Sequence, residues 1–185
     1  MYSVINAAIV GRMEKKYLAA LGLGSLTTGI CLISITTSFA LVLGSFVAPA
    51  HGRGETAIAR SYLHRQYFLN TCVWLVTLIP IIFIKQIYMA IGQEEEIADL
   101  AKQYVWIVAP CVLPYANAYA ANGYAEAQKY TFAWMFTNGM ATLLHIILLS
   151  IFVMWQDMGW KGVCISTSLQ FLARFIFAST YITFI

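Results

Sequence analysis

Four long stretches of the sequence contain no Asp, Glu, Lys or Arg: residues 17–50, 66–84, 103–125 and 130–156. A helix needs about 18–20 mostly apolar residues to cross the hydrocarbon core of a bilayer. Each stretch is near or above that length. Because backbone groups in lipid must find hydrogen-bond partners within the protein, runs this long predict transmembrane helices. The alternating segments of about ten residues that an outer-membrane barrel requires do not occur.

The composition excludes an ordinary soluble domain. Apolar residues make up 61% of the chain and charged residues 10%, against about 45–50% and about 25% in soluble domains. The net charge is only +3. The basic residues alternate with acidic ones in the connections, so no basic stripe predicts binding to nucleic acid.

Motifs for catalysis or metal binding do not occur. There is no phosphate-binding loop, no His-Glu-x-x-His and no Gly-x-Ser-x-Gly. The four cysteines lie far apart in apolar runs, which favours unpaired, buried thiols. The sequence therefore predicts neither an enzyme nor a metal protein.

The sequence predicts an all-α, multi-pass bundle in one transmembrane domain, residues 1–185, in a membrane that it does not identify. Lys and Arg divide almost evenly between the two sides, so the orientation stays open. An isolated half-span at the start and an apolar run that reaches the last residue predict a piece of a longer protein. The expected segments are a partial helix at 1–11 and helices at about 18–49, 67–91, 101–125, 131–155 and 162–185.

Several segments, in order along the chain, resemble the multidrug and toxic compound extrusion (MATE) transporters. VGRMEKKYLAALGLGS resembles the first loop and second helix of that family. FALVLGSFVAPAHGRGE, followed by SYLHRQYFL, resembles the end of the second helix and the start of the third. AIGQEEEIADLAKQYVWIVAPCVLP and YAEAQ resemble the third loop and fourth helix. LLHIILLSIF and MGWKGVCIS resemble the fifth helix and the entry to the sixth.

This resemblance implies a fold and a function. Family members have twelve helices in two six-helix lobes, so this chain corresponds to most of the N-terminal lobe and the second lobe is missing. Such proteins export organic, often cationic, compounds in exchange for protons or sodium ions. The implied partners are an organic solute, the lipid bilayer and the second lobe. No cofactor is implied beyond the coupling ion, H⁺ or Na⁺.

The sequence also departs from the family pattern at polar positions. Gly29, Gly44 and Pro49 stand where family members carry Asn, Asp and Gln in the second helix. Asn6 aligns with an ion-coupling Asp of bacterial members, which makes Asn6 an ion-coupling candidate. These departures support an alternative function: a non-transporting membrane subunit, or a degenerate fragment, that keeps the fold.

One polar face is expected in the helix at 131–155. Asn138, Thr142 and His145 are spaced four and three residues apart and therefore share a face. They are candidates for the wall of a substrate cavity, with His145 able to titrate near neutral pH. The alternative is a stripe of interhelical hydrogen bonds.

A second polar face is expected in the helix at 101–125, after two prolines one turn apart that predict a bend. Tyr115, Tyr119 and Asn122 are substrate-cavity candidates, because stacked tyrosines can hold an organic cation. Glu126 follows on the same face and is an ion-coupling candidate. The alternative is a belt of tyrosines at the membrane boundary with Glu126 in the loop.

Arg174 is the third ion-coupling candidate. It lies well inside the last apolar run, where ionisable residues are costly and usually functional. The alternative is that its long side chain extends to the membrane boundary.

Overall fold

The computed structural model describes residues 2–184, apart from the side chain of Met154, and this part of the chain is helical with short connections. The prediction of an all-α membrane bundle is confirmed. Seven helices cover the described residues: α1 (Tyr2–Val10), α2 (Lys15–Gly52), α3 (Thr56–Ile82), α4 (Ile84–Ala90), α5 (Glu95–Ala127), α6 (Phe132–Leu149) and α7 (Gly159–Thr183).

Helix α5 is the central element, and it packs against α2, α3 and α7. Small side chains line these contacts and allow the helices to approach closely, which is how helices associate in lipid. The buried alanines of α5 include Ala101, Ala109, Ala116 and Ala121.

Four helices in the described chain are long and apolar enough to cross a membrane. The sequence predicts five full spans, and α5 is the one that falls short by composition. Its position explains the difference, because a helix surrounded by other helices needs less apolar surface than one that faces lipid. The four spans are Lys15–Gly52, Thr56–Ile82, Phe132–Val153 and Gly159–Thr183.

Several helices extend beyond the apolar runs that predict them. Helix α3 begins at Thr56, well before the expected start at Tyr67, because the polar segment before Tyr67 continues the helix outside the apolar run. The connection from α2 is therefore very short. In it, the Arg53 guanidinium donates hydrogen bonds to Glu55 and lowers the pKa of that carboxyl below its ordinary value.

Two of the helices contain π-helical segments. One lies within α2, at Thr28–Ser34, and the other continues α6, at Ser150–Trp155. The Ser34 hydroxyl donates to the carbonyl of Gly29 at 2.8 Å, five residues back, which is the spacing of a π-helical turn. Such segments hold one extra residue per turn and are frequent at functional sites.

Helix α5 is uninterrupted from Glu95 to Ala127 and includes both prolines at which the sequence predicts a bend. Pro110 has no backbone N–H to donate, yet side chains from two neighbours bond to carbonyls around it. The Ser168 hydroxyl donates to the Ile107 carbonyl, and the Trp74 indole donates to the Ala109 carbonyl, both at 2.9 Å. These bonds tie α5 to α7 and α3 at mid-length.

Ion pairs join the start of α5 to its neighbours at one end of the bundle. Lys16 of α2 lies 2.8 Å from Glu96. Lys85 of α4 lies 2.8 Å from Asp99 and 3.1 Å from Glu95. Exposed pairs of this kind contribute at most about 1 kcal/mol each, so they orient this end more than they stabilise it.

The close approach of α2 and α5 gives a test of the packing. A Cβ added at Gly24 would lie 2.8 Å from Cδ1 of the buried Tyr104 ring and 3.3 Å from the Ala101 carbonyl. We expect Gly24→Ala to lower the free energy of unfolding by about 1–3 kcal/mol, as overpacking does. Denaturant unfolding of the protein in detergent micelles measures this.

Gly22→Ala is the matched control, because a Cβ at Gly22 meets nothing within 4 Å. It should leave stability unchanged or raise it, since Ala favours helix over Gly. Equal effects of the two substitutions would contradict this close packing.

Candidate functional site

The most enclosed polar cluster joins α1, α6 and α7. The imidazole of His145 is fully buried, and its Nε2 lies 2.9 Å from Oδ1 of Asn6. Its Nδ1 lies 3.2 Å from the backbone carbonyl of Ser166. The amide nitrogen of Asn6 donates to Thr167 Oγ1 at 2.9 Å. Two predicted site residues, Asn6 and His145, are thus in contact although 139 positions separate them.

The orientation of the Asn6 amide follows from the hydroxyl beside it. Thr167 donates its only hydrogen to the Val163 carbonyl, one turn earlier, at 2.9 Å. It can therefore only accept from Asn6, so the Asn6 amide nitrogen faces Thr167 and its oxygen faces His145. Both ring nitrogens of His145 then face oxygen atoms that only accept hydrogen bonds.

Asn138 and Thr142 do not join this cluster. The Asn138 amide donates to the Trp134 carbonyl, and the Thr142 hydroxyl donates to the Asn138 carbonyl, both at 2.7 Å within α6. His145 finds its partners on other helices.

A second cluster surrounds Arg174 of α7. Its guanidinium lies over the Tyr115 ring of α5, with Cζ 5.2 Å from the ring centroid. Tyr115 also packs on Phe171, at 4.7 Å between centroids, and Tyr2 of α1 meets Phe171 edge-on at 5.3 Å. Among the described residues, Arg174 forms no ion pair, and its Nε is buried without a hydrogen-bond partner.

A third group lies between α5 and α6, near the end of α5. Tyr119 packs edge-to-face on Trp134 at 4.8 Å between ring centroids. The Trp134 indole donates to the Glu126 carboxylate at 2.9 Å. On the buried side, the Asn122 side-chain amide lies 3.2 Å from the Thr137 hydroxyl, which also donates to the Ala133 carbonyl at 2.9 Å. The residues of the predicted α5 face therefore divide between two places, because Tyr115 contacts α7 whereas Tyr119, Asn122 and Glu126 contact α6.

A cavity of about 210 Å³ opens beside the third group. It lies between α2, α5 and α6. Its lining residues are Ala40, Leu41, Gly44, Tyr119, Gly123, Glu126, Ala127 and Trp134.

A further polar chain links α3 to α5 and was not predicted. Gln66 donates to Asn70 at 2.8 Å, and Asn70 donates to Asn117 at 3.0 Å. The signal available in the sequence was the four-residue spacing of the Gln66 and Asn70 amides within a charge-free run. The roles of Thr167 and Trp134 were also missed, because hydroxyl and indole groups are common in membrane helices.

Within residues 2–184, no three His, Cys, Asp or Glu side chains come together as metal ligands would. The polar groups of these clusters are amides, hydroxyls and aromatic rings, with one imidazole, one guanidinium and one carboxylate. Such groups can bind an organic solute or carry a proton.

The family model MatE matches residues 1–151 of the chain. The chain belongs to the MatE family. This MATE chain is 27% identical over 174 residues to Protein DETOXIFICATION 16 of Arabidopsis thaliana, covering 88% of the chain and 35% of that relative. It is 28% identical to Protein DETOXIFICATION 17 of the same plant, in a match that covers 88% of this chain and 36% of that relative.

Solved MATE structures share the fold. The eukaryotic MATE transporter AtDTX14 superposes with a TM-score of 0.93 over 98% of this chain and 41% of its own, at 18% identity. A multidrug resistance MATE family transporter in an inward-facing conformation superposes with a TM-score of 0.88 over 97% of this chain and 41% of its own, also at 18% identity. The chain spans about a third of the length of the curated relatives it matches.

These matches make the chain an integral, multi-pass membrane protein of a transporter family, as the sequence resemblance predicts. Family membership points away from an enzyme. Coverage of about a third of the relatives' length is consistent with one lobe of a two-lobe MATE protein.

The cluster around His145 gives a test of stability. Asn6→Ala removes the partners of His145 Nε2 and of Thr167 Oγ1, and both are buried. We expect the free energy of unfolding to fall by about 1–3 kcal/mol, the cost of a buried polar group left unpaired. Denaturant unfolding in detergent micelles provides the measurement.

Asn138→Ala serves as the control, because that amide is half-buried and bonds only to its own helix. Asn138→Ala should lower the free energy of unfolding by less than about 1 kcal/mol. A larger loss at Asn138 than at Asn6 would refute the cluster.

Proposed function

We propose that this chain forms one lobe of a secondary transporter that exchanges an organic solute for protons, and that His145 carries the exchanged proton. Membership of a transporter family supports the first part. The observation that supports the second is the position of His145, whose two ring nitrogens face oxygen acceptors at 2.9 and 3.2 Å.

The contacts of His145 favour one protonation state. A neutral imidazole carries one N–H and can donate to only one of the two oxygens. The other nitrogen would then direct its lone pair at an oxygen lone pair. The doubly protonated ring donates to both. The contacts between α1, α6 and α7 are therefore complete when His145 is charged and lose one hydrogen bond when it is neutral.

Loss of the proton thus weakens the attachment of α6 to α1 or α7. His145 bridges the two helices, through Asn6 of α1 and the Ser166 carbonyl of α7. Histidine is the side chain whose charge changes most readily near neutral pH.

The same cluster favours a proton over a sodium ion. Asn6, Thr167 and the Ser166 carbonyl are neutral, and among the described residues no carboxylate forms an ion pair with His145. The Asn6 and Ser166 oxygens are both directed at the imidazole, so they are occupied as acceptors for ring N–H groups.

Substitution of His145 tests the proposal. We expect His145→Gln in the full-length gene product to reduce efflux of a fluorescent organic solute driven by a pH gradient by about tenfold, within the usual range of coupling between two sites. The amide of Gln can keep the bond to Asn6 but cannot take up a proton. The measurement is efflux from proteoliposomes, with and without a pH gradient.

His64→Gln is the matched control, because the His64 ring is exposed and meets only its own helix, at the Arg60 carbonyl and the edge of the Tyr67 ring. It should leave efflux unchanged. A His145→Gln protein that still responds fully to the pH gradient would place the proton elsewhere. No gradient-dependent efflux by the unsubstituted protein would favour the alternative, a non-transporting membrane subunit.

A further inference from the structure

We propose that a groove between α2 and α3 binds an anionic phospholipid, with the phosphate at Arg65 and one acyl chain along the groove. The groove measures about 290 Å³. Each helix contributes side chains spaced three and four residues apart, which share one face of a helix. The lining residues are Phe39, Val42, Leu43 and Phe46 of α2, and Tyr62, Arg65, Gln66 and Leu69 of α3. This inference concerns lipid binding alone and does not depend on proton exchange at His145.

The chemistry of the groove changes along its length. Helices α2 and α3 run in opposite directions from their short connection, and the Phe46 and Tyr62 rings meet near it, with centroids 5.6 Å apart. Arg65 directly precedes the charge-free run at residues 66–84, which places it at the boundary of the hydrocarbon. Leu69 lies one turn deeper. The groove is therefore charged at the boundary and apolar below it, in the same order as the phosphate and acyl chain of a phospholipid.

The Arg65 guanidinium is available to a phosphate. Its side chain is exposed, and within residues 2–184 it forms no ion pair. Its Cζ lies 5.9 Å from the centroid of the Tyr62 ring, one turn earlier, and this cation–π contact favours one orientation of the side chain. A planar guanidinium can donate two parallel hydrogen bonds to one phosphate.

The walls of the groove are apolar and accessible. Leu43 and Gln66 are buried and form its floor, where the Gln66 amide already donates to Asn70 at 2.8 Å. The floor therefore needs no polar ligand. Four wall residues are between 39% and 54% exposed: Phe39, Val42, Phe46 and Leu69. Covering these side chains with an acyl chain also brings the phosphate of the same lipid to Arg65.

The charge of Arg65 favours a lipid over a helix of the second lobe. Such a helix would cover the apolar walls, but it would pair with Arg65 only by carrying an acidic residue next to its own apolar span. Acidic residues in spans are rare because they are costly in hydrocarbon. A phospholipid supplies the negative group and the apolar chain in one molecule.

The surrounding charges favour a lipid with a net negative charge. The end of the bundle that holds Arg65 has two acidic residues, Glu55 and Glu126, and four basic ones, Arg53, Arg60, Arg65 and Lys129. This excess attracts an anionic head group more strongly than a head group that also carries an ammonium. Basic pockets between transmembrane helices are known to bind anionic head groups.

Native mass spectrometry of the full-length gene product tests the site. The protein is delipidated in detergent and titrated separately with dioleoyl phosphatidylglycerol and dioleoyl phosphatidylcholine, which have the same acyl chains. The readout is the apparent dissociation constant of the first bound lipid. We expect phosphatidylglycerol to bind about fivefold more tightly, the effect of one basic residue near an anionic head group.

Substitution of Arg65 tests the charge. Arg65→Gln should weaken binding of the first phosphatidylglycerol by about tenfold, the loss of a hydrogen bond to a charged group. It should also bring the two lipids to similar affinity. Arg60→Gln is the matched control, because it removes the same charge from an exposed position of α3 outside the groove. Arg60→Gln should retain the preference for phosphatidylglycerol.

Substitution of Val42 tests the space. Val42→Trp should weaken binding of phosphatidylglycerol by about tenfold, because the larger ring displaces about two buried methylene groups of the acyl chain. Val76→Trp is the matched control, because Val76 is equally apolar, exposed and outside the groove. It should leave the affinity unchanged.

Three outcomes overturn the proposal. The first is equal affinity of the unsubstituted protein for the two lipids. The second is an equal loss in Arg65→Gln and Arg60→Gln, which indicates attraction to the basic surface in general. The third is equal binding by Val42→Trp and Val76→Trp, which indicates that the second lobe covers the groove. Efflux is measured in none of these experiments, so their failure is distinct from failure of the transport proposal.

Discussion

The structure depends on one constraint, which is that a polar group in hydrocarbon has no water to bond to. Helices meet this requirement for the backbone. Most hydroxyl side chains meet it in the same way, by donating to a carbonyl one turn earlier. Thr28, Thr36 and Ser166 donate to Gly24, Leu32 and Gly162. Their helices can therefore carry hydroxyl groups without needing a partner helix.

Amides, imidazoles and indoles cannot satisfy themselves so easily, and they produce the specific contacts of this bundle. Asn6 and His145 join three helices, Asn70 joins α3 to α5, and Trp74 bonds to the α5 backbone. Hydrogen bonds between membrane helices average about 0.6 kcal/mol and reach about 1.7. Contacts this weak select an arrangement of helices without making it rigid.

The helices could be predicted from the sequence because charge-free runs of this length allow little else. Their ends could not, since the start of α3 is a polar helix that no apolar run reveals. The candidate site was predictable only in part. Periodicity places Asn138, Thr142 and His145 on one face but does not show that the first two bond within α6. The pairing of His145 with Asn6 depends on how α1 packs against α6, which no local pattern contains.

The π-helical segment Thr28–Ser34 lies inside a helix whose two halves both have buried faces, with Leu21 and Gly24 before it and Leu43 and Val47 after it. One residue corresponds to about 100° of rotation in an α-helix. The wide turn therefore acts as an angular spacer that aligns the two buried faces. Loss of one residue here would rotate Leu43 and Val47 by about 100° relative to Leu21 and Gly24, so the direction of the second buried face depends on the length of this segment.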